Sequence, residues 1–177
     1  MYEELIKLAL ENGAAKAEII SVDQIITSAE FREACRQNVC GLWGKCWMCP
    51  PDVGDIEPLM ARLRTYRHCL WYQSIGELED SFDFEGMTEI KKQHLRISQV
   101  IEEKIKPVLG RHLHLSCGGC GLCERCTRQD GQPCRFPEKA LSSLEAYGID
   151  VYQTTKATSL KYINGQNTVT YFGGVLF

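Results

Sequence analysis

The sequence predicts a single domain of mixed α/β (α+β) class, in which helices pack on a small mixed sheet. Segments with helical periodicity and segments rich in β-branched residues follow one another along the whole chain. The length of 177 residues suits one domain and allows a sizeable hydrophobic core. No internal repeat divides residues 1–177, and two cysteine-rich loops, at 35–54 and 116–137, separate the regular elements.

Three elements are predicted up to the first cysteine. Residues 2–12 have the apolar spacing of a short amphipathic helix, and residues 17–26 are rich in Ile and Val, as in a strand. The stretch from Thr27 to Glu30 has the pattern of a capping box, so a helix is expected to begin near Ser28. Cys35 then lies at the far end of this helix.

Residues 38–55, which hold most of the first cysteine-rich loop, are predicted to lack helix and strand, because glycine and proline punctuate them strongly. We expect a helix over about 57–66, with Pro58 tolerated in its first turn. A strand is expected over 69–73, and Cys69 within it is most simply a small buried apolar side chain.

The clearest helix is predicted over residues 87–107, where isoleucines repeat on one face with Lys and Glu between them. Residues 112–115 form a short predicted strand that leads into the second cysteine-rich loop. After that loop, a helix is expected to begin at Pro137 and to end at Gly148, because proline suits a first turn and glycine a C-cap.

The C-terminal part is predicted to consist mainly of strands. Residues 149–153 are one strand candidate. Asn164-Gly165 is a strong signal for a two-residue hairpin turn, which would join strands at 160–163 and 168–172.

Ten cysteines are the most informative feature of the composition. The N-terminus lacks the basic start and apolar core of a signal peptide, and no run approaches the ~18 apolar residues of a membrane span. We therefore expect a cytoplasmic protein, in which clustered cysteines are metal ligands or catalytic groups more often than disulfides. The net charge of −3 gives no electrostatic support for binding nucleic acid.

The spacing in the second loop indicates a cluster. Cys120, Cys123 and Cys126 are each separated by two residues, and Cys134 follows after a longer spacer. A zinc site normally takes two ligands from one such pair and two from a distant element, whereas an unbroken run suits an iron–sulfur cluster. We predict that these four cysteines bind a cluster, most simply [4Fe–4S]. Cys117 is then surplus, and it either completes the other site, replaces Cys134 or stays unligated.

The first loop carries a looser group, Cys35, Cys40, Cys46 and Cys49, closed by two prolines. Four thiols can hold a second [4Fe–4S] cluster, with Cys46 or Cys117 as the fourth ligand of that site. Alternatively, Cys46 and Cys49 form a redox dithiol of the C-x-x-C type, although the prolines suit the required strand-to-helix setting only weakly.

Two histidines, His112 and His114, precede Cys117 at alternating spacing. Together with Cys117 and another cysteine they would make a zinc ligand set. The simpler interpretation is that both histidines share one face of the short strand, since alternate residues of a strand point to the same side.

Both groups also occur in longer motifs. The first consists of Cys35-Arg36 and Cys40-Gly-Leu-Trp-Gly-Lys-Cys46-Trp-Met-Cys49-Pro-Pro. The second consists of Cys120-Gly-Leu-Cys123-Glu-Arg-Cys126 and Asp130-Gly-Gln-Pro-Cys134-Arg-Phe-Pro-Glu-Lys-Ala140, and it is followed by a third, Ser143-Leu-Glu-Ala-Tyr-Gly-Ile-Asp-Val151. Nearly the whole chain resembles the predicted metal-binding proteins of domain of unknown function 2284. The resemblance implies a small cytosolic protein of anaerobic bacteria or archaea, with cysteines suited to iron–sulfur ligation and an unsettled cellular role. Residue by residue, the shared pattern covers Cys35, Cys40, Cys49, Cys120, Cys123, Cys126 and Cys134.

These observations favour an iron–sulfur protein that binds two [4Fe–4S] clusters and exchanges electrons with a partner redox protein, without being an enzyme. We expect contact with neither nucleic acid nor membrane, and a homodimer is left open. The alternatives are a zinc-binding structural or interaction protein, and an enzyme whose open-site cluster acts as a Lewis acid at Cys35, Cys40 and Cys49. The sequence contains no phosphate-binding loop, dinucleotide fingerprint or H-E-x-x-H helix.

Overall fold

The computed structural model describes residues 1–177 and confirms the predicted mixed α+β class, with five α-helices and one five-stranded sheet. None of these helices is both long enough and apolar enough to cross a bilayer. The helices are α1 (Tyr2–Glu11), α2 (Glu30–Arg36), α3 (Ile56–Leu63), α4 (Phe84–Ile105) and α5 (Val151–Lys156). The strands are β1 (Lys16–Ser21), β2 (His68–Glu77), β3 (Leu113–Ser116), β4 (Ser142–Ser143) and β5 (Thr168–Leu176).

The sheet has the strand order β1-β2-β5-β3-β4. All pairs are antiparallel except β3 with β4, which run parallel. The long strands β2 and β5 form the centre, where Tyr72 lies opposite Gly173. Glycine is required at that position, because a Cβ atom on Gly173 would lie 2.2 Å from the Tyr72 ring.

Two hydrophobic cores lie on the two faces of the sheet, since successive strand residues point to opposite sides. Cys69 and Trp71 belong to one core, which α3 covers. Leu70 and Tyr72 belong to the other, which α1 and α4 cover. The prediction that Cys69 is a buried apolar side chain is confirmed, because it is fully buried in the first core.

A chain of buried hydrogen bonds fastens α4 to the sheet beside the second loop. Tyr72 Oη donates to Ser98 Oγ at 2.7 Å and lies 2.8 Å from His114 Nε2. Ser98 Oγ is in turn 2.7 Å from Ser116 Oγ, at the end of β3. Because buried polar groups without partners are costly, this chain fixes the relative position of α4 and β3.

Strand β1 is shorter than the predicted 17–26, because it ends in a capped turn. Ser21 Oγ accepts the N–H of Asp23 at 3.2 Å, and Gln24 Oε1 accepts the N–H of Ser21 at 2.9 Å. These side-chain bonds favour one 3₁₀ turn over continued pairing with β2.

The predictions for residues 137–153 were wrong. The helix expected from Pro137 to Gly148 is absent, and Ser142–Ser143 pair with β3 instead, so long-range pairing outweighs the local helical pattern. The expected strand at 149–153 is the helix α5, which Asp150 begins by accepting the Gln153 N–H at 2.9 Å.

The predicted hairpin around Asn164-Gly165 was also wrong, since residues 160–163 form no strand. Asn164 Nδ2 donates to the Lys161 carbonyl at 2.9 Å and to Thr170 Oγ1 at 3.0 Å, which ties the turn to itself. The expected second strand exists as β5, but it pairs with β2 and β3 rather than with its neighbour in sequence.

Candidate metal centres

The first cysteine-rich loop leaves α2 and returns to the body of the protein at α3. Cys35 lies in the last turn of α2, as predicted, and Cys40 is exposed. Asn38 has a left-handed φ of 56°, and its side-chain oxygen accepts a backbone N–H of the loop at 2.9 Å. These turns bring Cys46 and Cys49 back into the interior, where both are buried.

The second cysteine-rich loop begins at Cys117, directly after β3, and lies against α4. Gly118 has a φ of 58°, and a Cβ atom there would lie 2.5 Å from the Lys91 side chain. A Cβ atom on Gly121 would lie 2.7 Å from Leu95 of the same helix. Glycine is therefore required where the loop crosses α4, and this close approach places Lys91 beside the cysteines.

Side chains hold the two loops together. Trp47 Nε1 donates to the Gln132 carbonyl at 3.0 Å. Arg128 forms an ion pair with Asp52, with 2.7 Å between Nε and Oδ1, and its guanidinium lies 5.3 Å from the centroid of the Trp47 ring. The positions of the two cysteine groups are thus set by contacts between the loops themselves.

Five thiols line one cavity between the loops, which we call the first site. Four of them come from the second loop and one from the first loop, and apolar side chains complete the wall. The thiols are those of Cys46, Cys120, Cys123, Cys126 and Cys134, and the apolar groups include Trp47, Met48, Leu122 and Phe136.

Cys46 occupies a position where hydrogen-bond donors converge on its sulfur. Its pKa is lowered, first by the thiol of Cys49 and further by the backbone N–H groups of Cys120 and Met48 and the thiol of Cys126. The neighbouring Cys49 has a raised pKa because it donates to Cys46 and is buried. Cys46 is therefore the thiol of this pair that is deprotonated more readily.

Backbone amides also point at Cys120. Burial raises the pKa of this thiol, and the N–H groups of Leu122 and Leu141 partly oppose the effect. Amide hydrogen bonds to sulfur are among the interactions by which proteins set the potential of thiolate-bound metals.

Three thiols line a second cavity, which we call the second site. They are those of Cys35, Cys40 and Cys49, and Lys91 and Glu145 lie on the same wall. The pKa of the Cys35 thiol is raised by burial and then by the negative charge of Cys40. Burial also raises the pKa of Glu145, while the charge of Lys91 opposes this.

The structure divides the cysteines differently from their order in the sequence. Cys46 was grouped with the other cysteines of the first loop, but its thiol faces the four of the second loop. Cys49, three residues later, faces the second site, so the tetrapeptide from Cys46 to Cys49 separates the two cavities. Cys117 is buried beside Ser116 and lines neither site.

The two histidines bind other partners. His112 Nε2 lies 3.0 Å from Glu102 Oε1, and His114 Nδ1 lies 3.0 Å from Glu102 Oε2. The other ring nitrogen of His114 meets Tyr72, and that of His112 meets the Leu109 carbonyl at 3.2 Å. Hydrogen bonds thus occupy all four ring nitrogens, and no cysteine is among the partners.

The donor set of both sites consists of cysteine thiols. All ten cysteines are free thiols, as metal ligation requires. No group of three or more His, Cys, Asp or Glu side chains converges closely enough to hold a single metal ion. A cluster needs no such convergence, because each of its ligands binds a different iron.

Lys91 and Glu145 are the site residues that sequence reasoning missed. Lys91 lies in the predicted helix 87–107, where Lys and Glu were noted only as the residues between the isoleucines, and Glu145 lies in a segment predicted to be a helix. Lys91 carries no signal in the sequence, because only the packing of α4 against the second loop brings it to the cysteines. Glu145 lies within the third motif, from Ser143 to Val151, but that pattern assigned it no role.

Comparison with known proteins agrees with this chemistry. A family model described as predicted metal-binding protein (DUF2284) matches residues 18–177. No curated protein and no solved structure matches the chain. The match covers both cysteine-rich loops and every strand but the first residues of β1. The chain therefore belongs to the DUF2284 family of predicted metal-binding proteins.

Proposed function

We propose that the protein binds two iron–sulfur clusters, most simply [4Fe–4S], and exchanges electrons with a partner redox protein in the cytoplasm. The observation that carries this proposal is the division of eight thiols between two adjacent cavities, five in the first site and three in the second. An iron–sulfur cluster supplies one-electron chemistry, and its potential depends on the charges and hydrogen bonds around the sulfurs.

In the first site, Cys120, Cys123, Cys126 and Cys134 would hold the cluster, with Cys46 as the neighbouring thiol. Trp47, Met48 and Phe136 line this cavity and limit the access of water. The amides that point at Cys46 and Cys120 stabilise negative charge on sulfur, which favours the thiolate form that ligation needs.

In the second site, Cys35, Cys40 and Cys49 would hold the other cluster. Cys40 is exposed, and its neighbour Val39 has 91% of its surface accessible to solvent. This face is therefore where a redox partner approaches the metal most closely, while the first site lies on the far side of the tetrapeptide that begins at Cys46.

A mononuclear zinc site is less well supported. Structural zinc is held by four ligands about 2.0–2.3 Å from one centre. No set of three or more potential ligands is arranged in this way. The zinc alternative would therefore require both loops to rearrange around the ion.

The proposal is tested by counting iron and acid-labile sulfide in protein purified without oxygen. We expect about eight of each per chain, because a [4Fe–4S] cluster contributes four of each. Cys123→Ser and Cys40→Ser should each remove about half, since each belongs to a different site. Cys69→Ala is the matched control, because this cysteine is buried in the sheet. A colourless protein that contains zinc alone would refute the proposal.

A further inference from the structure

We propose that the second site is an open one: its metal group is held by Cys35, Cys40 and Cys49 alone, and its remaining position binds a small carboxylate whose charge Lys91 neutralises. This inference rests on the proposed iron–sulfur function and adds a ligand class to one of the two sites.

The second site contains fewer thiols than a [4Fe–4S] cluster in a protein normally binds, which is four. Cys46, whose thiol neighbours that of Cys49, lines the first site, where donors from both loops surround its sulfur. Cys117 is buried beside Ser116 and does not line the cavity. The second site therefore offers three thiols to a group that has four metal positions.

A lysine ammonium group, that of Lys91, lines the second cavity. Lys91 lies on α4, and its ammonium group rests against Gly118, where a Cβ atom would be 2.6 Å from Nζ. It forms no ion pair, whereas the neighbouring Lys92 pairs with Glu89 at 3.8 Å on the solvent side. A half-buried cation on a cavity wall without an ion-pair partner favours an anionic ligand, because hydrogen bonds between two charged groups are stronger than those between neutral groups.

Glu145 is the acidic candidate in the cavity lining, but it is not an ion-pair partner of Lys91. Glu145 lines the same cavity, and the Ser143 hydroxyl and the Glu145 backbone N–H both lower the pKa of its carboxyl group against the effect of burial. No ion pair joins it to Lys91, although the charge of Lys91 also lowers the pKa of Glu145. The ammonium group thus remains available to a ligand, and Glu145 can accept a hydrogen bond from a hydroxyl group of that ligand.

The second site is the larger of the two cavities. The second site has a cavity volume of about 230 Å³, compared with about 40 Å³ for the first site. The larger volume makes the second site the better candidate for a small-molecule ligand. A metal ion that lacks a protein ligand can act as a Lewis acid toward such a molecule. A small hydroxycarboxylate, with its carboxylate on Lys91 and its hydroxyl near Glu145, fits these groups.

The test uses iron-loaded protein and lactate as the probe. Lactate should shift the EPR spectrum of the reduced second site in the wild type and in Lys92→Gln, the matched control. In Lys91→Gln the midpoint of the titration should rise about tenfold or more, which corresponds to about 1.4 kcal/mol. Lys91→Arg keeps the charge and should retain most of the binding.

A second readout does not depend on lactate. Mild oxidation removes an iron that no protein thiol holds, so the wild type should form a three-iron EPR signal that Cys40→Ser lacks. If Cys117→Ser or Cys46→Ser destroys the second-site signal, a fourth thiol is bound and the inference is wrong.

Failure of the inference differs from failure of the proposed function. A full iron count with a spectrum that lactate leaves unchanged overturns the open site and leaves the two-cluster proposal intact. A response to phosphate but not to lactate overturns the carboxylate class. Protein without iron overturns both, and circular dichroism of each variant establishes whether it is folded.

Discussion

At the scale of single residues, the notable feature is how many polar side chains are buried beside the second loop. His94 is fully buried, with Nδ1 2.7 Å from Ser74 Oγ and no partner for Nε2. Tyr72 lies next to it, with 5.5 Å between the ring centroids. These groups make the core sensitive to changes in hydrogen bonding and in pH.

Removing the Tyr72 hydroxyl should destabilise the protein. Tyr72→Phe leaves His114 Nε2 without its hydrogen-bond partner and removes one of the partners of Ser98 Oγ, which should lower the free energy of unfolding by about 1–3 kcal/mol. Urea unfolding followed by circular dichroism measures this loss. Tyr2→Phe is the control, because its hydroxyl bonds to His68 at the surface. Equal stability of Tyr72→Phe and wild type would contradict the role given to this bond.

Acid should destabilise the protein through His94. Burial lowers the pKa of this histidine from about 6.5 to about 4, so the unfolded chain binds a proton that the folded protein does not. The unfolding free energy should therefore decrease as the pH falls from about 6.5 to about 4, by about 3 kcal/mol in total.

The check compares wild type with His94→Gln, which has no titrating group at this position. The variant should lose less stability between those two pH values, and the difference between the proteins cancels any acid effect on the thiols. Parallel slopes for wild type and His94→Gln would exclude this histidine as the source.

At the scale of elements, the sequence predicts helices and strands well where local pattern and packing agree. The long isoleucine repeat of α4 and the capping pattern before α2 both led to the correct helix. The errors lie between residues 137 and 163, where long-range partners decide. Ser142–Ser143 pair with β3 and β5 crosses to β2, and no local signal contains that information.

The contact between β5 and β2 is tight enough to test with one methyl group. Gly173→Ala would place Cβ 2.2 Å from the Tyr72 ring and displace the phenol from its hydrogen bonds. We expect a loss of about 1–3 kcal/mol in unfolding free energy. Gly110→Ala is the matched control, because nothing lies within 4 Å of its added Cβ. Similar urea midpoints for the two variants would contradict the close packing.

At the scale of the whole molecule, the cysteine-rich loops lie outside the hydrophobic cores. No residue between 35 and 50 or between 117 and 140 belongs to either core. Spacing is local information, and it grouped seven of the eight cysteines that line the two cavities as the structure has them. It did not predict that Cys46 faces the second loop or that Lys91 joins the second site, because both depend on how the loops pack.

Removal of the metal should therefore loosen the loops without unfolding the sheet. After chelation without oxygen, far-ultraviolet circular dichroism should change little, because the cores remain. Trypsin should then cut at exposed basic residues of the loops, such as Lys45, Arg125 and Arg135, faster than in the loaded protein. A cooperative loss of all secondary structure on chelation would show instead that the metal is needed for the fold.

The tetrapeptide from Cys46 to Cys49 belongs to both sites at once. A metal group bound in one cavity immobilises this segment. Binding in the other cavity then costs less conformational entropy, because the segment is already ordered. Occupancy of the two sites should consequently be cooperative. During stepwise iron titration, half-filled chains should be rarer than independent binding allows, and native mass spectrometry can count them.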